Sequence, residues 1–66
     1  MSVVVNGEAR DLAPGTTVGA LVEALGMPRR GVAVAVDGEI VRRGEWDECA
    51  VPDGARVEVL TAMQGG

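Results

Sequence analysis

Hydrophobic and polar positions along the chain fall into short blocks cut by turn-forming pairs. Ser2-Val3-Val4-Val5 is separated from Glu8-Ala9-Arg10-Asp11-Leu12 by Asn6-Gly7. A two-residue turn of this kind needs positive φ at both central positions, which Asn and Gly tolerate, so a β-hairpin is predicted with strands Ser2 to Val5 and Glu8 to Leu12. Ala13-Pro14-Gly15 then ends the strand pattern, because Pro presets φ and Gly supplies the positive-φ position of a type II turn. Val18, Leu21, Val22 and Leu25 recur at i, i+3, i+4 and i+7, the spacing of one helical face. Thr16 or Thr17 can cap that helix and Gly26 can close it. Gly19 inside it costs about 1 kcal/mol relative to alanine, so the helix is expected to depend on docking to a sheet.

Beyond the loop Met27 to Gly31, Val32, Val34 and Val36 alternate with Ala33 and Ala35. This predicts a strand with a larger and a smaller face, both apolar enough for an interior position. Asp37-Gly38 is a second two-residue turn, after which Glu39 to Arg42 pairs back. Arg43 to Pro52 reads as irregular, with a helical turn expected at Glu45 to Glu48. Pro52-Asp53-Gly54 turns the chain into a last strand, Arg56 to Thr61, whose Val57 and Val59 share one face and leave Leu60 on the other. The order is β-β-α-β-β-β, and one mixed sheet packed on one helix buries every apolar stripe. That is an α+β fold of β-grasp type, with residues 1–61 as the domain and residues 62–66 as a flexible tail.

Composition decides which chemistry such a domain can hold. Twelve Val and nine Ala stand beside one Trp and no Phe or Tyr, so the core is built from small side chains with Trp46 expected to cover one end. The chain is short, 66 residues, and has no His. A deep pocket, an imidazole base and a His-based zinc site are therefore disfavoured or excluded. Cys49 is the single cysteine and reads as a small half-buried hydrophobe. No catalytic or metal-ligating set emerges, and Glu45, Asp47 and Glu48 read as a solvated acidic face.

Net charge is −4, and all six basic residues are Arg. A nucleic-acid binder would carry a basic face and aromatic platforms, neither of which is present. Arg29-Arg30 and Arg42-Arg43 read as solvated pairs. No apolar run approaches the roughly 20 residues that span a bilayer, and no leader pattern precedes the first strand, so no membrane partner and a cytoplasmic location are expected.

What remains is the end of the sequence, Ala62-Met63-Gln64-Gly65-Gly66. Two residues without a Cβ permit close backbone approach in a narrow site. Five extended residues reach at most about 17 Å, enough to enter another protein's active site. Leu60, on the outer face, together with Met63 and Gln64 would flank that entry, as a partner surface or as edge packing.

Val4-Val5-Asn6-Gly7-Glu8, Gly15-Thr16-Thr17-Val18, Ala24-Leu25-Gly26, Val32-Ala33-Val34, Asp37-Gly38-Glu39-Ile40-Val41, Arg43-Gly44-Glu45-Trp46, Asp53-Gly54-Ala55-Arg56-Val57-Glu58 and Gly65-Gly66 together resemble the ThiS family of ubiquitin-like sulfur carriers of thiamine biosynthesis. The resemblance covers essentially the whole chain. It implies a protein co-substrate rather than an enzyme, binding no cofactor itself. A ThiF-like adenylyltransferase would consume ATP to adenylate the Gly66 carboxylate, with Gly65 giving access. Persulfide sulfur from a cysteine desulfurase would convert the adenylate to a thiocarboxylate, and a ThiG-like thiazole synthase would take the sulfur. Rivals are a carrier of the molybdopterin synthase small-subunit type and, in another class, a ubiquitin-like modifier or a non-covalent interaction module.

Overall fold

The computed structural model describes residues 1–61. The expected tail 62–66, and with it Met63, Gln64, Gly65 and Gly66, lies outside the described residues. The elements are β1 (Ser2–Val5), β2 (Glu8–Asp11), α1 (Val18–Ala24), β3 (Val32–Val36), β4 (Glu39–Val41) and β5 (Arg56–Thr61). Both predicted hairpins are closed by residues in the left-handed region: Asn6 and Gly7 at φ 50° and 85°, Asp37 and Gly38 at 51° and 87°. Such turns match the natural twist of the strands they join.

Across the sheet the strands run β2-β1-β5-β3-β4. β5 is thus central, parallel to β1 and antiparallel to β3. The β-grasp arrangement follows, because the chain must cross from β2 at one edge to the other half of the sheet, and α1 lies on that crossover.

The helix is seven residues long, shorter than the roughly 12 to 15 that stand alone in water, and its ends are tied down from outside. Thr17 accepts from the Ala20 N–H at 3.1 Å. The Val18 and Gly19 N–H groups donate to the carbonyls of Cys49 and Trp46 at 2.8 and 3.1 Å. The first-turn donors that a helix leaves open are therefore already used. At the other end Gly26, at φ 74°, lets the Met27 N–H reach back to the Val22 carbonyl.

The core joins Val3, Val5, Val34, Val57 and Val59 of the sheet to Val18, Leu21 and Val22 of α1. Trp46 is fully buried beneath this layer and is its bulkiest member. Its Nε1–H donates to the Val41 carbonyl at 3.0 Å, so the indole is a core residue and not an exposed anchor for a partner. Cys49 is half-buried against the same cluster, as expected. The segment before it differs from expectation: a 3-10 turn forms at Arg43–Glu45, two residues earlier than the predicted helical turn. The Trp46 N–H closes that turn on the Arg43 carbonyl, and tertiary burial of the ring sets the position that local propensity left open.

Candidate functional site

The candidate site is the end of β5 and the sheet face around it. β3 accompanies β5 along its whole described length, from Val36 opposite Val57 to Val32 opposite Thr61. Two acidic side chains pin the other end. Asp37 in the β3–β4 turn accepts from the Arg56 N–H at 2.9 Å, and Asp53 accepts from the Ser2 N–H at 3.1 Å, next to the turn that launches β5. The strand that leads to residue 62 is therefore held at both ends and along one complete edge.

Period-two alternation puts Val57 and Val59 in the core and Leu60 on the outer face, where it is 65% exposed opposite Ala33. Leu60, Ala33, Val32, Gly31 and Thr61 line a shallow apolar depression at the point where the described chain ends. Of the predicted site residues, Leu60 alone falls within the described fold. Sequence reasoning missed Ile40, which is 70% exposed on the same outer face. Its signal was available: the Asp37-Gly38 turn sets Val36 opposite Glu39, so Ile40 lies opposite Ala35, on the small-residue face. Val4 is the third exposed large apolar side chain among the described residues, and it lines one depression with Asn6, Arg56, Glu58 and Leu60.

Charge is organised on the opposite side of the molecule. Arg29, expected as half of a solvated pair, instead bridges the loop after α1 to the turn after β4: it meets Asp47 at 2.7 Å and Glu23 at 3.4 Å. Its guanidinium lies 5.9 Å from the Trp46 ring centroid. Gly19 lies directly beneath, and a Cβ there would collide with the Asp47 carboxylate and the Arg29 guanidinium. Alanine at position 19 would therefore require the Arg29–Asp47 pair to shift. The Asp47 carboxyl is held below the usual carboxylate range, first by the Arg29 hydrogen bond and then by its charge, against partial desolvation. A carboxyl whose folded value is depressed stabilises above its unfolded value and loses that contribution as pH falls through the folded one. Titration of Asp47 by NMR should therefore give an apparent pKa below 3.8, returning to that range in Arg29→Gln. An unshifted Asp47 would show that the ion pair does not persist in solution.

Among the described residues no cluster of His, Cys, Asp and Glu could hold a metal ion, and no helix is long and apolar enough to cross a membrane. A model of the ThiS family matches residues 3–66. The chain belongs to the ThiS family. The sulfur carrier protein ThiS of Escherichia coli is 33% identical over 66 residues, all of both chains. That of Thermus thermophilus is 39% identical over 64 residues, covering 97% of this chain and 98% of the relative. A thiazole synthase of Paramagnetospirillum magneticum is 39% identical over all 66 residues, which make up one fifth (20%) of its length. In structure, the crystallised ThiS of Geobacter metallireducens superposes with a TM-score of 0.84 at 35% identity, over 100% of both chains. The ThiS family consists of small sulfur carriers of thiamine biosynthesis, on the ubiquitin-like β-grasp fold seen here.

Proposed function

We propose that this chain carries sulfur as a thiocarboxylate on Gly66 and is a co-substrate, not a catalyst. The observation that carries this reading is the reach of the likeness: the family match runs to residue 66, and the match to the Escherichia coli carrier uses every residue of both chains. A carboxylate is a poor electrophile at neutral pH. Attack of the Gly66 carboxylate on the α-phosphorus of ATP, in a ThiF-like adenylyltransferase, expels pyrophosphate and leaves an acyl adenylate. The terminal sulfur of a desulfurase persulfide then displaces AMP, forming an acyl disulfide. A thiol cleaves that S–S bond, is oxidised to a disulfide with the desulfurase sulfur, and frees the thiocarboxylate. Its soft sulfur is the nucleophile that a ThiG-like thiazole synthase uses.

That a stretch like this chain occurs inside a protein called thiazole synthase supports such an enzyme as the acceptor. The absence of lysine fits as well, since the chain has no ε-amine to capture its own activated end. The cytoplasm, where thiols stay reduced, suits both the free Cys49 and a thiocarboxylate.

Intact mass after incubation with adenylyltransferase, ATP, persulfide donor and thiol tests the reading. One oxygen exchanged for sulfur is expected, and no exchange when Gly66 is deleted. Isopeptide-linked products on other proteins would replace the carrier with a modifier.

A further inference from the structure

β1 follows β5 for only two residue pairs, Val4 with Arg56 and Val5 with Val57. Its backbone then turns away at Asn6 into the hairpin, whereas β3 stays with β5 to Thr61. A parallel ladder continued by one step would have the Val59 N–H donate to the backbone carbonyl of residue 6 and the Val59 carbonyl accept from the amide of residue 8. The Asn6 side chain supplies both groups instead. Val59 N–H donates to Asn6 Oδ1 at 2.9 Å, and Asn6 Nδ2 donates to the Val59 carbonyl at 3.1 Å. A primary carboxamide presents an acceptor and a donor side by side, so it stands in for the missing peptide unit. Two residues that are 53 apart in sequence are joined through both polar groups of one side chain.

We propose that Asn6 is a positioning residue for activation of the chain end: its carboxamide fixes β5 at Val59, and with it the place where the described fold ends at Thr61. The proposal rests on the carrier reading above. Only Leu60 and Thr61 separate the anchored residue from the end of the described fold. Without Asn6, the Val59 N–H and carbonyl lose their partners on the β1 side, and a strand end whose hydrogen bonds on one side are lost opens more readily. Reaction at a carboxylate a few residues further on depends on how often that end is presented correctly, because small misplacements at a reacting group cost large factors in rate.

Two variants separate the parts of this device. Asn6→Gly keeps a residue at ease with positive φ in the turn and deletes the carboxamide. Asn6→Asp keeps an acceptor for the Val59 N–H and loses the donor to the Val59 carbonyl, and it carries the test should the glycine variant not fold. Amide hydrogen exchange and steady-state adenylation are measured on the full chain. Exchange at Val59 should speed up by about tenfold or more in Asn6→Gly, with little change at Val3 and Val34. The kcat for adenylation should fall by about tenfold with KM nearly unchanged, since the docking face is intact, and Asn6→Asp should lie between. Unaltered exchange at Val59, an equal loss of protection at Val3 and Val34, or faster exchange with an unchanged kcat would each overturn the positioning role. Failure of the wild-type chain to be adenylated would overturn the carrier reading itself, and the positioning role in activation with it; the exchange data would then show separately whether Asn6 anchors β5.

Discussion

Trp46→Ala should leave the chain largely unfolded in buffer. A fold of this length holds roughly 3 to 10 kcal/mol, at about 0.05 to 0.15 kcal/mol per residue. Truncating a fully buried Trp to Ala removes about 3 to 5 kcal/mol, through lost burial and the cavity left behind. Nine of the twelve buried core residues are Val, whose β-branched side chains have little freedom to extend into the space left. Trp46→Phe separates the two things the ring does. It retains most of the buried area and abandons the Val41 carbonyl, for about 1 to 2 kcal/mol. In a fold this small that lowers the melting temperature by about 5 to 15 °C. Far-UV circular dichroism during thermal and urea unfolding reads both variants. A Trp46→Ala protein that melts within a few degrees of the parent would show that the ring is peripheral to the core.

The second large effect is chemical and spares the fold. Gly65→Val should keep the melting temperature of the parent while adenylation falls by about a hundredfold or more. The core of the described residues is built from Val59 and residues before it, and the expected result is an unchanged melting transition. Within a narrow nucleotide site the same side chain both obstructs approach and restricts φ, whereas Gly does neither. ATP–pyrophosphate exchange catalysed by the adenylyltransferase measures the loss directly. Undiminished exchange would mean that the site tolerates bulk next to the reacting carboxylate, and the steric role given to Gly65 would be wrong.

Much of the architecture was legible because each local signal agreed with the global fold. Asn6-Gly7 and Asp37-Gly38 demanded positive φ and received it, Thr17 capped the helix, and period-two alternation placed Val57, Val59 and Leu60 on the correct faces. Three features were not legible, for one physical reason. The Arg29–Asp47 pair, the Asn6–Val59 bonds and the early turn that delivers Trp46 to the core all join or answer to residues far apart along the chain. No periodicity encodes such contacts. Of the candidate site, Leu60 could be placed from alternation alone, while Ile40 needed the register across a hairpin.

The position of β5 has a consequence for how the molecule comes to exist. β5 is the last strand along the described chain, yet it is the one that joins the β2–β1 half of the sheet to the β3–β4 half. Before it docks, the two hairpins share no strand neighbour, and the contacts that unite them close loops of some fifty residues, which is slow because entropy is lost before contacts return it. Completion of the sheet and placement of the end of the described fold are one event, because the strand that joins the two halves is also the strand that ends at Thr61.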